Sequence, residues 1–563
     1  MRREKTISFT VFVLVGAFAV LIVSTGILSW VPPVSKDALV HHLAVPKLYL
    51  EHGGIYEIPT MPYSYFPMNL DLLYLIPLWL GSDIAAKFIH FAFALLIAYL
   101  LFQYLRRRLG TLYALFGSLF FLSLPIIVKL SITVYVDLGV IYFSTFALLL
   151  LFRWMEQGFR LKYLVLSGIF CGLAMGTKYS GLVTFAVLGL LVPFLCARYE
   201  KDRDAPMIRP VSCGILFLLT ALVVFSPWMI RNSLWKNNPV YPLYNSFFKK
   251  LEVGKGKIMP TVKIETEARQ DKAGLFTYRK SVYGERWWEM ALLPVRIFFQ
   301  GEDGNPRFFD GKLNPFLLLL SLFAFFPGRK DPPEWLREKK ILLGYAILYF
   351  VFAFFTSALR IRYISPIIPP LVILSTFGLR NLMETVRKIK GPGMGYVAHG
   401  VVLFLPALAL GLNAHYMVGQ FKHVKPFGYI TGKVDRDEYI SRYRREYPVI
   451  QYANKSTPRD AKILFLFLGK RGYYCDRDYV PDTAGQVRSL YRNIKGAKSP
   501  ENIWLQLRAR GITHLVVDLS IFDKWLHSLF DAETQGRAKE FFKKYLVPMY
   551  FKNGVGLYEI KNV

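Results

Sequence analysis

Two acidic side chains stand next to long apolar segments of this sequence and are the first candidates for chemistry. Asp37 follows the first apolar segment, and Asp137 lies where the fourth one begins. Two carboxylates that meet in a wet cavity could supply a general base and a second charge. If a divalent metal binds, the same two acids are its candidate ligands, although the sequence requires no cofactor. For either acid alone, a helix cap or a solvated loop residue is the simpler interpretation.

Cations stand at the ends of the apolar segments, on the same predicted side as the two acids. The guanidinium groups of Arg231 and Arg362 suit two-pronged contact with phosphate, and the ammonium group of Lys178 suits a point contact. A single cation at a helix end more often extends toward lipid headgroups. Several cations that face the same side as two acids favour a site for a phosphate group.

Histidine and tyrosine side chains near Asp37 are candidates for contacts with an acceptor or a sugar. His41 and His42 follow Asp37 by four and five residues, so that one of them could share its helix face. Tyr63 and Tyr65 could stack on sugar rings, although an aromatic belt at the membrane interface is the default interpretation. A zinc site would need three or more ligands, and the sequence offers no clear third one.

The elements that must position these residues are membrane helices. The chain has 563 residues, of which 53% are hydrophobic and only 19% are charged. Apolar runs of about 20 residues recur, which is the length that crosses a bilayer. We predict a mainly α-helical, polytopic membrane protein with about eleven transmembrane helices. The net charge of +31 does not indicate nucleic-acid binding, because lysines and arginines cluster between apolar runs as the positive-inside rule expects.

The distribution of cations also predicts which parts face away from the cytoplasm. Arg2, Arg3 and Lys5 place the N-terminus in the cytoplasm, so that loops 31–71 and 231–313 lie outside. An odd number of spans then puts the C-terminus outside as well. We therefore expect an integral protein of the cell (cytoplasmic) membrane with an extracytoplasmic active site and C-terminal domain.

The sequence divides into a membrane part and a smaller C-terminal part. Residues 1–417 contain the apolar runs, and residues 418–563 change to shorter patterns. In the second part a strand, a helix, a strand, a helix and a hairpin follow one another, with Asn553 and Gly554 at the hairpin turn. This order predicts a small α/β domain.

Short segments in a fixed order also carry a resemblance to a known family. In chain order they are Asp37 to Gly53, Tyr135 to Asp137, Gly176 to Tyr179, Pro227 to Asn232, Asn238 to Pro242, Phe309 to Gly311 and Arg362 to Pro366. This set resembles the bacterial GT-C glycosyltransferases, which are protein-mannosyltransferase-like and use polyprenyl-phosphate sugars. The resemblance covers nearly the whole chain. Some relatives have a second acid directly after the first, where this chain has Ala38.

The resemblance implies an enzyme with a lipid-facing cavity on the outer side of the membrane. It implies that Asp37 is the general base on an acceptor hydroxyl, with Asp137 as an acidic helper. The acceptor attacks the anomeric carbon with inversion, and Lys178, Arg231 and Arg362 meet the charge of the departing lipid phosphate. The implied partners are a polyprenyl-phosphate sugar donor, a glycan, lipid or protein acceptor, and membrane lipids.

Two alternatives stay open at this point. A transporter or flippase of lipid-linked sugars would favour paired repeats and helices broken near the bilayer midplane, and neither is apparent in the sequence. An oligosaccharide ligase of envelope polysaccharide assembly is the second alternative. Release of free polyprenyl phosphate from a monosaccharide donor would distinguish the predicted transferase from such a ligase.

Overall fold

Long helices make up most of the structure, a computed structural model that describes residues 2–200, 208–253, 275–326, 331–356, 359–389 and 392–562. Among these residues, seven helices are long and apolar enough to cross a membrane. Thr111–Ser123 and Pro125–Ser131 meet at a bend of 64° and form an eighth span if they count as one. The predicted class, a polytopic α-helical membrane protein, is confirmed.

Each predicted span coincides with a helix or with the bent pair, apart from residues 327, 357 and 358, which lie outside the described residues. The helices of this part are Arg2–Ser29, Asp83–Leu109, Thr111–Ser123, Pro125–Ser131, Asp137–Glu156, Leu161–Thr177, Gly181–Tyr199, Arg209–Lys236, Phe316–Leu322, Pro333–Thr356, Ile368–Val386 and Pro392–Val424. The sequence predicts that the seventh span ends near residue 230, and this is wrong. The helix continues past Pro227 to Lys236, because neighbouring groups in a membrane protein can satisfy the backbone carbonyl that an internal proline frees.

The helices differ in how much of their surface packs inside the protein. In Ser365–Val386, 89% of the residues in its apolar stretch are buried, so this segment lies in the centre of the bundle. In Phe9–Ser29 and Tyr396–Val424 the buried shares are only 11% and 17%, although both segments are highly apolar. Apolar side chains without protein cover indicate contact with lipid. These two helices therefore lie at the periphery.

The two ends of the bundle are tied by different ion pairs. At one end Arg108 contacts Glu338 at 2.5 Å. The helix that ends at Leu109 begins about 40 Å away at Asp83, since it has 27 residues and a helix rises about 1.5 Å per residue. There Asp83 pairs with Arg436 of the C-terminal part at 2.5 Å. We call this second end, where Asp83 and Arg436 lie, the site end, because the two loops that carry the candidate residues lie there.

Short helices fill the two loops at the site end. The first loop contains Ala38–His42, Ala44–His52, Pro62–Tyr65, Asn69–Leu73 and Leu75–Trp79. The second loop contains Asn245–Val253, Leu275–Tyr283, Trp287–Ala291, Leu293–Phe299 and Pro306–Phe308. Residues 254–274 of the predicted outer loop lie outside the described residues. Later short helices in the membrane part are Phe323–Phe325, Ile361–Tyr363 and Ser365–Ile367.

The C-terminal part is built on a five-stranded sheet of order β2-β1-β3-β5-β4. The strands are β1 (Lys462–Leu466), β2 (Asp478–Val480), β3 (His514–Asp518), β4 (Leu546–Lys552) and β5 (Val555–Ile560). β1 is parallel to β2 and β3, whereas β5 is antiparallel to β3 and β4. The predicted mixture of strands, helices and a hairpin is confirmed, but the sequence did not predict β2.

Helices cover both faces of this sheet. One face carries Tyr447–Ser456, and the other carries Ala484–Gly496, Pro500–Arg508, Leu519–Leu529 and Ala532–Tyr545. Two earlier helices, Pro426–Ile430 and Arg436–Tyr443, precede the sheet, and Tyr439 packs in a cluster with Leu28 of the first helix. In β1, Leu464 and Leu466 belong to one apolar core, and Ile463 and Phe465 belong to another. Successive side chains of a strand point to opposite faces, so a strand covered on both faces is apolar throughout. This explains the continuous apolar run in the sequence at β1.

Candidate active site

Asp37 precedes the short π-helix Ala38–His42 in the first loop of the site end. Its backbone occupies the N-cap position, but its side chain makes no capping hydrogen bond. The interpretation of Asp37 as a helix cap is therefore wrong. Its Oδ2 instead accepts a hydrogen bond of 2.5 Å from Nη1 of Arg362, which lies in the short helix Ile361–Tyr363. The side chain of Asp37 is 23% exposed, so it stays accessible to a ligand.

A second ion pair joins Asp137 and Lys178. Asp137 is the first residue of the helix Asp137–Glu156, and its Oδ1 accepts a hydrogen bond of 2.7 Å from Nζ of Lys178. Its Oδ2 is buried and has no hydrogen-bond partner among the described residues. The side chain of Asp137 is 3% exposed and that of Lys178 is 20% exposed. Lys178 is therefore the more exposed member of the pair, and Asp137 lies buried behind it.

The turn that presents Lys178 depends on a close approach at Gly176. Lys178 follows the helix Leu161–Thr177 with an extended backbone. A Cβ atom on Gly176 would lie 2.2 Å from Nδ2 of Asn69, which belongs to the first loop. Only glycine lets the loop lie against the helix end here. Asn69 is fixed in turn, because its side-chain oxygen accepts a hydrogen bond of 2.8 Å from Trp228.

Asp37 and Lys178 line one cavity of about 690 Å³. Its wall also contains four of the other predicted site residues, namely His41, His42, Tyr63 and Arg362. Asp137 is not part of this wall among the described residues. The expectation that both carboxylates converge on the cavity is therefore corrected. Lys178 lies between Asp137 and the cavity and is its direct contact there, while the charge of Asp137 also acts on Arg362 and His42 in the wall.

Aromatic rings contact both an uncharged imidazole and two cations of the wall. The imidazole of His41 stacks on the ring of Tyr63, with 4.7 Å between centroids and 24° between planes. The guanidinium of Arg362 lies 5.4 Å from the ring centroid of Tyr135, and Nζ of Lys178 lies 5.6 Å from that of Tyr363. Such cation–π contacts stabilise a cation that has lost part of its hydration.

The carboxylate of Asp37 is negatively charged at neutral pH. Burial raises the pKa of Asp37, but its neighbours, Arg362 above all and then His41 and His42, together outweigh that effect and hold the pKa well below its usual range. The pair also acts on its partner: burial lowers the pKa of Arg362, and the Asp37 charge more than offsets this and raises it. An ionised carboxylate can accept a proton, which is what a general base must do.

A neutral pair, His42 and Asp71, lies deeper in the same wall. Burial lowers the pKa values of His41 and His42 to about 3, so both rings are uncharged at neutral pH. Burial raises the pKa of Asp71 to about 8. Nδ1 of His42 and Oδ1 of Asp71 are 2.7 Å apart. The two side chains therefore share a hydrogen bond inside the wall.

Besides Asp137, two more predicted site residues lie outside the wall of the cavity as far as the structure describes it. Arg231 lies over Trp228 and Trp235, with its guanidinium carbon 4.5 Å and 5.0 Å from the two rings. It donates a hydrogen bond of 3.1 Å to the carbonyl of Phe66, and Phe66 does line the cavity. Tyr65 donates a hydrogen bond of 2.6 Å to Glu57. Both residues thus support the wall from behind, and direct contact with a donor or sugar stays a prediction.

Metal binding by Asp37 and Asp137 also stays a prediction. The part of the chain that the structure describes contains no group of three or more histidine, cysteine, aspartate or glutamate side chains placed to hold a metal ion. Each of the two carboxylates already accepts a hydrogen bond from a cation. We therefore derive no chemical step through a metal at this site.

The sequence did not point to several residues of the wall. In the sequence, Asp71 is simply the polar residue before an apolar run. Its neighbours in the chain do not indicate that it is buried beside a histidine. Arg360, by contrast, is one of the cations that the sequence predicts at the outer helix ends; it pairs with Asp310 at 3.2 Å, and that aspartate lies in the family segment Phe309 to Gly311. Lys470 and Asp482 come from the C-terminal part. Their place in the cavity depends on how that part packs, which no sequence pattern shows.

The long apolar helices and the sheet of the C-terminal part define a polytopic α-helical membrane protein with a small α/β part. Residues 75–230 match the family model described as dolichyl-phosphate-mannose-protein mannosyltransferase. No protein of curated function matches the sequence. The predicted resemblance to GT-C glycosyltransferases is confirmed.

Solved structures share this fold at low sequence identity. ArnT from Cupriavidus metallidurans in the apo state is 15% identical, with a TM-score of 0.56 over 97% of each chain. The structure of ArnT bound to undecaprenyl phosphate gives the same values. The archaeal oligosaccharyltransferase AglB from Archaeoglobus fulgidus, in complex with an inhibitory peptide and a dolichol-phosphate, is 12% identical with a TM-score of 0.51. That match covers 97% of this chain and 74% of AglB.

Proposed function

We propose that the protein is a membrane glycosyltransferase that moves a sugar from a polyprenyl-phosphate donor to an acceptor hydroxyl. The observation that carries the proposal is the Asp37–Arg362 ion pair, which lies with Lys178 in one cavity at the ends of the membrane helices. The fold it shares with ArnT bound to undecaprenyl phosphate supports the same class of donor. The cavity faces the extracytoplasmic side of the cell membrane, and residues 418–563 form a separate domain there.

In this proposal Asp37 is the general base. The acceptor oxygen attacks the anomeric carbon of the sugar, and its proton passes to the carboxylate of Asp37. The bond between the anomeric carbon and the phosphate oxygen breaks on the opposite side, so the configuration inverts. The electron pair of that bond leaves with the polyprenyl phosphate. Arg362 and Lys178 offset the charge that develops on the phosphate, because guanidinium and ammonium groups bind phosphate oxygens strongly.

In this reaction Arg362 faces two anions, the Asp37 carboxylate and the donor phosphate. It cannot offset both charges fully at the same time. In the structure it holds the pKa of Asp37 low, which also makes Asp37 a weak base. A donor phosphate that attracts Arg362 removes this restraint, and the burial of Asp37 then raises its pKa. Donor binding thereby makes the carboxylate more basic at the moment when a proton must be accepted.

Asp137 acts in this proposal as a positioning residue. Its carboxylate holds Lys178 at 2.7 Å from behind the cavity wall. His41, His42 and Tyr63 line the remaining wall and are available for contacts with the sugar or the acceptor.

The direct test is release of polyprenyl phosphate by the purified full-length protein. The protein in lipid nanodiscs is incubated with a lipid extract of its native envelope, and lipids are analysed by mass spectrometry. We expect a monosaccharide-linked polyprenyl phosphate to decrease while free polyprenyl phosphate increases in equal amount. Transfer of a whole oligosaccharide, or monosaccharide-linked lipid that stays intact, would contradict the proposal.

A further inference from the structure

The C-terminal part contributes directly to the wall of the cavity. Gly469 and Lys470, which follow β1, and Asp482, which follows β2, line the cavity opposite residues of the first loop. Nζ of Lys470 lies 5.3 Å from the ring centroid of Tyr63. The sheet of the C-terminal part therefore places one cation beside a side chain of the membrane part.

The loop that carries Lys470 has an unusual backbone. Phe467, Gly469 and Lys470 have φ angles of 62°, 72° and 67°, which lie in the left-handed region. Non-glycine residues rarely adopt this region, and they keep it only where the surroundings fix the backbone. The carboxylate of Asp482 lies near this loop: burial raises its pKa, and the backbone amides of Gly469 and Phe467 offset part of that effect. The position of Lys470 is thus built into the loop.

Lys470 also differs from most cations of the cavity in its lack of an ion-pair partner. Lys178, Arg360 and Arg362 each pair with an aspartate. Lys470 is half-buried and Lys36 is exposed; both line the same cavity, and across the described ranges neither has a carboxylate within ion-pair distance. The charge of Asp482, in the same wall, still reaches Lys470. A half-buried cation in a cavity that forms no close ion pair favours an anionic ligand.

We propose that Lys470, together with Lys36, binds an anionic group of the acceptor, a phosphate or a carboxylate. That this anion belongs to the acceptor rests on the proposed function, in which Arg362 and Lys178 at the helix ends hold the donor phosphate. The donor lipid enters from the bilayer, whereas Lys470 belongs to the domain that covers the cavity beyond the helix ends. The charge of the acceptor then selects it, and Lys470 determines specificity without taking part in bond formation.

Chemical labelling of lysine amines tests this without any enzymatic activity. The full-length protein in phosphatidylcholine nanodiscs is treated with an amine-acetylating reagent, and mass spectrometry follows each lysine. Inorganic phosphate is the probe, and sodium chloride of equal ionic strength is the control. We expect phosphate to slow the acetylation of Lys470 and Lys36 several-fold. Lys539, an exposed lysine of the same domain, should be labelled at an unchanged rate.

Three results would overturn the inference. One is protection of Lys178 by phosphate with no protection of Lys470, which would leave only the donor site as an anion site. Another is protection of Lys470 by phosphatidylglycerol discs without added phosphate, which would assign this lysine to bilayer headgroups. The third is equal slowing at Lys539, which would show a general salt effect.

Enzyme kinetics of two lysine variants provide a second test. In Lys470→Gln we expect the KM for the acceptor to rise at least several-fold while kcat and the KM for the donor stay close to wild type. The matched variant Lys539→Gln should leave all three unchanged. A normal acceptor KM in Lys470→Gln would contradict the inference. If the protein transfers no sugar at all, the proposed function fails, and the labelling experiment still decides whether Lys470 binds an anion.

Discussion

Nη1 of Arg362 donates a hydrogen bond of 2.5 Å to Oδ2 of Asp37, across a separation of 325 residues in the chain. The contact joins the first loop to the short helix that precedes the central helix of the bundle. It sets the charge of the proposed base, because the guanidinium holds the pKa of Asp37 well below its usual range. The pH at which activity is lost on the acidic side should therefore depend on Arg362.

Replacement of Arg362 by glutamine should move the acidic limb of the activity profile to higher pH. A general base loses activity as the pH falls through its pKa, because it becomes protonated. Without Arg362 the raising effect of burial on the pKa of Asp37 is no longer outweighed. The profile of kcat/KM against pH should show the shift, together with a lower maximum. Arg362→Lys keeps a positive charge, so its limb should lie between those of the wild type and Arg362→Gln.

Loss of Lys178 should destabilise the protein as well as impair transfer. In Lys178→Gln the carboxylate of Asp137 stays buried without its cation, and its Oδ2 already lacks a hydrogen-bond partner among the described residues. Breaking a buried ion pair costs about 3–5 kcal/mol. The double variant Lys178→Gln with Asp137→Asn should regain most of the thermal stability but not the rate of polyprenyl phosphate release. Recovery of both would show that Lys178 has only a structural role.

Asp71 should make the folded protein less stable as the pH rises. Burial raises its pKa from the model-peptide value of 3.8 to about 8. Between these two values the folded state binds more protons at Asp71 than the unfolded state, so stability decreases with pH. Asp71→Asn removes this titration, and its melting temperature relative to wild type should rise between about pH 4 and about pH 8. Parallel curves for the two proteins would show that Asp71 is not protonated in the fold.

Lys47 should hold the C-terminal part against the first loop. Its Nζ donates to the carbonyls of Tyr473 and Cys475 and to the carboxylate of Asp476, at 3.1, 3.0 and 2.7 Å. In Lys47→Met we expect faster hydrogen exchange at the amide of Tyr473, which bonds to the carbonyl of Leu39 in the first loop. The exposed Lys455 provides the matched variant, Lys455→Met, whose exchange there should equal that of wild type. Unchanged exchange in Lys47→Met would mean that other contacts suffice.

Most of the membrane part could be predicted from the sequence, because a long apolar run has few folded alternatives in a bilayer. The run after Ile7 and the run that contains Asp137 both correspond to helices. Their ends were less predictable. Pro227 lies inside a helix that continues to Lys236, since tertiary contacts there override the local preference of proline.

The candidate site was predictable only in part. The type and position of Asp37 singled it out, and its partner Arg362 was among the predicted cations, but nothing local joins residues so far apart in the chain. The burial of Asp137 behind Lys178 depends on how two helices approach each other. The three-residue strand β2 has too few residues for a period-two pattern. The position of Lys470 depends on that same sheet.

The measurement that tests the central claim most directly is the rate at which purified Asp37→Asn releases polyprenyl phosphate. Asparagine has nearly the same shape as aspartate but cannot accept the proton of the acceptor hydroxyl, so we expect the rate to fall by at least about 100-fold. Membrane insertion and melting temperature should show that the variant is folded, and Asp460→Asn, at an exposed position of the C-terminal part, should keep the wild-type rate. If folded Asp37→Asn releases polyprenyl phosphate at the wild-type rate, Asp37 is not the general base.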